Sequence, residues 1–97
     1  MQVSIVVPLY NEIENVELCY QALTDVMEQA PWQYEIVMVD DGSTDGTSEQ
    51  LAAIAERDGR VKVIEFRRNF GQTAAMRAGF DYAEGECVVT LDGDLQN

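Results

Sequence analysis

Residues 35–46 read EIVMVDDGSTDG, and this stretch decides the fold. Its first half, Glu35–Val39, is mainly apolar and β-branched, which predicts a buried β-strand. Two acids, a glycine and a serine follow at once, and these residue types favour a turn and the start of a helix. A strand that passes directly into a polar loop and a helix predicts a βα unit.

The same kind of apolar run occurs four times along the chain. The runs begin about 25–32 residues apart, the spacing of βαβ units. Their near-continuous hydrophobicity favours strands that are covered on both faces, as in a parallel sheet between helices. The predicted strands are Val3–Pro8, Glu35–Val39, Val61–Phe66 and Cys87–Leu91.

Helical periodicity fills the gaps between these strands. We predict helices over residues 11–30, 47–57 and 72–83. Asn11 and Glu14 suggest a capping box at the start of the first helix, Pro31 ends it, and Gly85 ends the third. The order βαβαβαβ predicts an α/β fold with a Rossmann-like open parallel sheet.

The composition excludes several classes of protein. Six Lys and Arg residues against 18 Asp and Glu give the chain a net charge of −12, which argues against a nucleic-acid-binding surface. No window approaches the roughly 20 apolar residues of a membrane span. Cys19 and Cys87 belong to no CxxC pair, so we predict two buried thiols and no zinc site.

Polar residues collect after every predicted strand. Ligands of open parallel sheets bind at the carboxyl ends of the strands, where the strand order reverses, so we expect a site there. The residues in question are Pro8, Tyr10, Asn11 and Glu12 after the first strand, Asp40–Asp45 after the second, Arg67–Asn69 and Gly71 after the third, and Asp92–Asp94 and Gln96 after the fourth.

Asp40 and Asp41 admit two interpretations. Asp, Gly and Ser are ordinary turn and helix-entry residues, and the pair can be no more than that. Adjacent acids at the end of a buried strand repel one another, however, and ribose hydroxyls or a base N–H would relieve the repulsion. Neither GxxxxGK[ST] nor GxGxxG occurs, so a nucleotide would be held through its base and sugar, with a metal on its phosphates.

Asp92, Gly93 and Asp94 form a DxD sequence directly after the fourth predicted strand. Two carboxylates at positions i and i+2 can ligate one hard cation, although such a pair is often a solvated turn. Because the chain has no histidine, the sequence favours Mg²⁺ or Mn²⁺ over the usual transition metals.

All six basic residues lie between Arg57 and Arg77. Among them, Arg67 and Arg68 precede Asn69 in the loop after the third strand. The charged side chains of this loop admit two interpretations. They are either ordinary solvated charges, or they contact a phosphate or the acids of the protein itself.

Together these motifs resemble the family 2 glycosyltransferases with the GT-A fold. The likeness rests on VSIVVPLYNEIENV (3–16), EIVMVDDGSTDGT (35–47), RRNFGQTAAMRAGFDYAEGE (67–86) and VVTLDGDLQN (88–97). It covers essentially the whole chain. RNFGQ and DLQN resemble most closely the branch that transfers mannose or glucose to polyprenyl phosphates such as dolichol or undecaprenyl phosphate.

The resemblance implies roles for particular residues. Pro8, Tyr10 and Glu12 match the motif that lines the nucleotide base, and Asp40 and Asp41 match the acids that hold base and ribose. Asp92 and Asp94 match the metal-binding DxD, with Asp94 as the catalytic metal ligand and with Gly93 and Gln96 in the same donor-binding loop. Two positions depart from the pattern: Gly93 is often Ala, and Gln72 stands where many relatives carry Lys.

The resemblance also implies a reaction, inverting transfer of a hexose from a UDP- or GDP-sugar to a polyprenyl phosphate with Mg²⁺ or Mn²⁺. A lipid phosphate is already an anion, so no strong general base is required. We expect residues 1–97 to be one nucleotide-sugar-binding subdomain, a fragment of a longer catalytic domain that acts at the cytoplasmic face of the plasma membrane. Any membrane contact would come from parts outside this chain, and a homo-oligomer would cover its exposed sheet edge.

Two alternatives remain at this point. A receiver-like or phosphatase-like domain would also use clustered Asp residues for Mg²⁺. It would need its acidic pair after the first strand and a phosphorylated Asp after the third, where Asn11–Glu12 and Arg67–Arg68 stand. The second alternative is a non-catalytic nucleotide-binding or assembly module.

Overall fold

The computed structural model describes residues 2–90, in the order βαβαβαβ that the sequence predicts. Within these residues each of the first three strands is followed by a helix. The elements are β1 (Gln2–Leu9), α1 (Val16–Glu28), β2 (Gln33–Asp40), α2 (Thr47–Arg57), β3 (Val61–Glu65), α3 (Gln72–Tyr82) and β4 (Cys87–Thr90).

The four strands form one parallel sheet in the order β3-β2-β1-β4. In its register Leu9 lies opposite Asp40, and Asp40 lies opposite Glu65. The chain moves outward from β1 to β3 and then returns past β1 to form β4. The strand order therefore reverses between β1 and β4.

Helices cover the two faces of the sheet unequally. Right-handed crossovers put helices on opposite faces when the direction of strand addition reverses. Accordingly, α1 and α2 pack on one face, where alternate residues of β1 and β2 form the larger core with Val16, Leu51 and Ile54. On the other face, α3 packs through Ala75 against Val6, Val37 and Val39. The prediction of strands covered on both faces is therefore confirmed for β1 and β2, whereas β3 is only partly buried and β4 is largely exposed.

The first helix begins later than the capping-box pattern predicts. Asn15 is its N-cap residue, without a side-chain cap, and Asn11 lies in the preceding loop with a φ of 52°. Asn tolerates this left-handed conformation, and its Oδ1 accepts a hydrogen bond from the Thr44 N–H instead of one from its own helix. The prediction that Asn11 and Glu14 start the helix is therefore wrong.

The prediction that both cysteines are buried holds for Cys19 and is wrong for Cys87. Among the described residues β4 pairs with β1 alone, and its residues Cys87, Val88 and Val89 are exposed. Within residues 2–90 no helix follows β4 to cover it, so apolar sequence did not produce burial here. Leu91, the predicted last residue of this strand, lies outside the described residues.

The end of α3 also differs in detail from the prediction. The helix ends at Tyr82, which is exposed, while Ala83 is partly buried and packs against the smaller core. Gly85 does not act as the helix stop, since two residues separate it from Tyr82. None of the helices in the described part of the chain has the length and hydropathy of a membrane-spanning segment.

Candidate functional site

The carboxyl ends of the parallel strands bring the predicted polar loops to one edge of the sheet. This edge, called the carboxyl edge below, consists in the described residues of loops 10–15, 41–46 and 66–71. The end of β4 is two strands away from Asp40, because only β1 separates β4 from β2. The prediction that the ends of the second and fourth strands share an edge is confirmed as far as Thr90.

The loops after β1 and β2 are joined by hydrogen bonds. The Asn11 N–H donates to Ser43 Oγ at 2.9 Å, and the Thr44 N–H donates to Asn11 Oδ1 at 2.8 Å. Further along, the Glu12 N–H donates to Thr47 Oγ1 at 3.1 Å. The two loops therefore hold one another in place, which fixes the backbone at this edge.

Asp45 connects the same two loops to the start of α2. Its Oδ1 accepts hydrogen bonds from the N–H of Thr47 at 3.1 Å and from Thr47 Oγ1 at 2.5 Å, and its Oδ2 accepts one from the Ile13 N–H at 3.2 Å. The Thr47 hydroxyl bond lowers the pKa of Asp45 most, and the backbone donors help to outweigh burial, which would raise it. A carboxylate that satisfies helix N–H groups stabilises the first turn of α2.

Asp40 lies on the α2 side of the sheet and is only 1% exposed. Its Oδ1 accepts a hydrogen bond from the Ser43 N–H at 3.0 Å, and its Oδ2 accepts one from the Ser48 hydroxyl. Each carboxylate oxygen has two lone pairs, so both retain capacity for another donor.

Asp41 is directed to the opposite side of the sheet, toward the start of α3. Its Oδ1 accepts a hydrogen bond from the Phe70 N–H at 2.7 Å, and its Oδ2 accepts two at 3.0 Å, from the Gly71 N–H and from Asn69 Nδ2. The side chains of Asp40 and Asp41 thus diverge, and donors within the chain stabilise both acids. The protein's own donors therefore offset the repulsion between the two acids, which a ligand was expected to relieve.

Gly42 allows the loop after β2 to approach the loop after β3 closely. Its φ is 78°, and a Cβ at this position would lie 2.2 Å from the carbonyl carbon of Arg68 and 2.4 Å from the Asn69 nitrogen. Since no side chain fits, glycine is required here. Asp41 and Gly42 together join the second and third loops, as Asn11 joins the first and second.

Arg67 and Arg68 are exposed on the third loop. The Arg68 guanidinium lies 4.8 Å from the centroid of the Phe70 ring, which in turn contacts Phe66 edge-on at 5.5 Å. Neither arginine forms an ion pair within residues 2–90, whereas Arg57, Arg60 and Lys62 all do. Asn69 contacts Asp41, so the expected contact with the acids of the protein itself is made by the asparagine.

The residues predicted to line a base lie at the end of β1. Pro8 is paired with Val39 in the sheet and partly buried, while Tyr10 is 47% exposed just beyond the strand. Glu12 is partly buried and accepts a hydrogen bond from Asn15 Nδ2 at 3.0 Å. Tyr10 therefore presents the largest accessible ring on this part of the edge.

The predicted metal ligands Asp92 and Asp94, with Gly93 and Gln96, lie outside the described residues. Among residues 2–90 no three carboxylate or thiol side chains come together as metal ligands. Asp40, Asp41 and Asp45 are surrounded by N–H and O–H donors, and such surroundings suit an isolated carboxylate better than a cation-bound one. Asp92 and Asp94 stay the metal ligands that the sequence predicts.

The architecture is that of the GT-A glycosyltransferases. Staphylococcus aureus TarS in complex with UDP superposes with a TM-score of 0.80 and 28% identity, over 97% of this chain and 28% of that chain. Mannosyltransferase PcManGT from Pyrobaculum calidifontis, in complex with GDP-Man and Mn²⁺, gives a TM-score of 0.75 and 32% identity over 95% of this chain and 27% of that one. The expected fold class is confirmed.

Residues 4–97 match the family model described as "Glycosyl transferase family 2", and the chain belongs to that family. The uncharacterized glycosyltransferase YkcC of Bacillus subtilis is 47% identical over 97 residues, covering 100% of this chain and 30% of that protein. The dodecaprenyl-phosphate galacturonate synthase of Rhizobium johnstonii is 43% identical over 98 residues, which cover 100% of this chain and 29% of that protein. The bactoprenol glucosyl transferase of Shigella phage SfV is 40% identical over 97 residues, which cover 100% of this chain and 32% of that protein. The chain thus spans about 30% of the length of these relatives.

The sequence pattern indicated the residues of the carboxyl edge, Ser43 and Asn69 among them, and a contact of the third loop with the protein's own acids was one of its two interpretations. It did not indicate Ser48, a residue of α2 whose hydroxyl donates to Asp40, or the hydrogen bond between the Asn11 N–H and Ser43 Oγ. The enrichment of Ser, Thr and Asn after the strands was the only available signal for these contacts.

Proposed function

We propose that this chain is the donor-binding part of an inverting, metal-dependent glycosyltransferase that transfers a hexose from a UDP- or GDP-sugar to a polyprenyl phosphate. The observation that carries the proposal is the carboxyl edge. Asp40 is the last residue of β2, and only β1 lies between β2 and β4. In the sequence, Asp92 and Asp94 follow shortly after the end of β4. A site at this edge agrees with the general rule for open parallel sheets.

The donor nucleoside would lie over the ends of β1 and β2. Tyr10 is exposed and offers a ring for stacking on the base, with Pro8 and Glu12 beside it. Asp40 keeps free lone pairs for a base N–H or a ribose hydroxyl. Asp41 would contribute mainly by fixing the loop after β3 beside this site, since three donors of that loop already bind its carboxylate. TarS bound to UDP and PcManGT bound to GDP-Man support a nucleotide-sugar donor and leave the base open.

Asp92 and Asp94 would hold the divalent cation, with Asp94 as the ligand essential for catalysis and with Gly93 and Gln96 in the same loop. When bound, Mg²⁺ or Mn²⁺ neutralises the negative charge that develops on the departing nucleoside diphosphate. The Mn²⁺ in the PcManGT complex supports a divalent cation of this kind.

A polyprenyl phosphate acceptor is supported by the names of the relatives from R. johnstonii and phage SfV. Such a phosphate is already anionic, so the chain needs to supply no strong base. We further propose that the chain is one part of a longer catalytic domain, in keeping with its 30% coverage of YkcC, and that it acts at the cytoplasmic face of the membrane.

Calorimetry of the purified chain with UDP and with GDP, each with and without MnCl₂, tests this proposal. We expect one nucleotide to bind only with Mn²⁺ and its affinity to fall about tenfold or more in Asp94→Ala, through loss of a metal ligand. Asp81→Ala, which removes an exposed acid of α3, is the matched control and should bind like the wild type. Indifference to both nucleotides would refute donor binding, and phosphorylation by acetyl phosphate would instead favour the receiver-like alternative.

A further inference from the structure

A buried polar network surrounds Glu35 on the α3 face of the sheet, away from the carboxyl edge. Glu35 is only 3% exposed. Its Oε2 accepts hydrogen bonds from Ser4 Oγ at 2.5 Å and from the Glu84 N–H at 2.7 Å, and its Oε1 lies 2.7 Å from Lys62 Nζ. One carboxylate therefore joins β1, β2, β3 and the turn between α3 and β4. Nothing in the proposed chemistry uses it.

The network fixes the turn at the start of β4. The Gly85 N–H donates to Ser4 Oγ at 2.8 Å, and the Glu86 N–H donates to the Gln2 carbonyl at 2.8 Å. A Cβ on Gly85 would lie 2.6 Å from Ser4 Oγ and 2.7 Å from the Ser4 nitrogen. Residue 85 must therefore be a glycine for the turn to lie this close to β1.

β4 has little else to hold it within the described residues. Its four residues pair only with β1, in the register Val3 with Cys87 through Val6 with Thr90. Val88 and Val89 remain 40% and 41% exposed, so burial contributes little to its position. A shift by one residue would exchange the faces to which its side chains point, because the side-chain period of a strand is two.

We propose that Glu35 is a positioning residue that sets the register of β4 against β1 through Ser4 and the turn at Glu84–Gly85. The consequence for the site rests on the proposed function. The chain enters the Asp92–Asp94 segment two residues after Thr90, so the register of β4 sets the point from which that segment starts.

The charge of Glu35 is suited to this role. Burial by itself would raise the pKa of Glu35, but the bonds from Lys62, Ser4 and the Glu84 N–H outweigh burial and lower it. The carboxylate is therefore ionised at neutral pH, and hydrogen bonds to an ionised acceptor are stronger than neutral ones. Lys62 also lies 3.5 Å from Glu84 Oε1, which draws the same turn toward the network.

Amide hydrogen exchange in the purified chain tests the proposal directly. In Glu35→Gln we expect the Val88–Thr90 amides to exchange about tenfold faster or more, as the loss of a hydrogen bond to a charged acceptor predicts. The Val37 and Val39 amides should change much less, whereas a general loss of stability would accelerate all of them alike. Glu65→Gln is the matched control, since Glu65 is an exposed residue at the end of β3.

Ser4→Ala keeps the test decisive if Glu35→Gln fails to fold. It removes only the hydroxyl that links Glu35 to Gly85, and it should accelerate exchange in β4 selectively. Unchanged β4 exchange in Ser4→Ala and in any folded Glu35→Gln, or equal acceleration throughout the sheet, would overturn the proposal.

The effect on the site is measured separately, with MnCl₂ and whichever of UDP and GDP the wild-type chain binds. We expect Glu35→Gln to reduce the gain in affinity for that nucleotide that Mn²⁺ provides, and Glu65→Gln to leave that gain unchanged. If the wild-type chain binds no nucleotide, the proposed function fails while the exchange experiment still decides the role of Glu35. If the wild type binds and Glu35→Gln keeps the full gain, the link from β4 to the metal site is wrong.

Discussion

The carboxylate of Asp41 accepts a 2.7 Å hydrogen bond from the backbone N–H of Phe70, 29 residues further along the chain. With the bonds from Gly71 and Asn69, it makes Asp41, the residue that follows β2, the anchor for the start of α3. A residue that the family resemblance assigns to the donor is therefore also a structural link between two loops of the carboxyl edge.

Asp41→Asn should destabilise the fold by about 2–3 kcal/mol. An amide that replaces this carboxylate weakens charge-assisted bonds and turns an N–H group toward other N–H groups. Denaturation by urea measures the change in the free energy of unfolding. Asp81→Asn, on the exposed side of α3, is the control, and an equal loss in both variants would contradict the anchoring role.

Gly42→Ala should cost about 3 kcal/mol or more in the free energy of unfolding. The new methyl group would meet the Arg68 backbone in a conformation that side chains rarely adopt. Thermal and urea unfolding measure the effect. Gly59→Ala provides the comparison, because nothing lies within 4 Å of a Cβ there, and it should change stability by less than about 0.5 kcal/mol. Similar stabilities of the two variants would show that the loops can separate at little cost.

Asp58 should make the stability of the chain depend on pH in the acid range. Burial would raise its pKa, but hydrogen bonds from Arg60 and from the Tyr20 hydroxyl, the latter at 2.7 Å, hold the pKa at about 2, below the ordinary value of 3.8. Because the folded pKa is depressed, the stabilisation is present above about pH 4 and is lost as the pH falls toward 2.

The comparison of wild type with Asp58→Asn between pH 6 and pH 2 checks this expectation. The difference in unfolding free energy between the two proteins should shrink by about 2 kcal/mol over that range. Other acids titrate in both proteins and cancel in the difference. A difference that stays constant with pH would mean that Asp58 has an ordinary pKa in the folded chain.

The two cysteines should react at very different rates. Cys19 is buried, and burial, followed by the nearby charge of Glu12, raises its pKa to about 11. Cys87 is exposed on β4, so a maleimide or an aromatic disulfide should modify one thiol rapidly in the native protein and both in urea. Cys87→Ser should abolish the rapid phase. A fast second thiol in that variant would show that Cys19 is accessible.

Much of the fold followed from local pattern. The β-branched runs and the helical periodicity gave the number, order and approximate bounds of the elements, because burial on a strand or helix face imposes its own period on the sequence. The grouping of Asp40, Tyr10 and Asn69 at one edge followed as well, since parallel strands end on the same side. The exposure of Cys87 could not be predicted, because an apolar strand has the same sequence pattern whether or not another element covers its face.

The fold class, the family resemblance and the residues of the carboxyl edge can all be predicted from the amino-acid sequence, because each depends on residue types at short spacing. The contacts that these residues make with one another are visible only in the folded chain. In the fold, Asp40 and Asp41 point to opposite sides of the sheet, and Asn11 accepts a hydrogen bond from the second loop. Glu35 lies among Ser4, Lys62 and Glu84. These contacts join positions from 8 to 49 residues apart, and their partners are selected by the order and register of the strands, which no local pattern specifies.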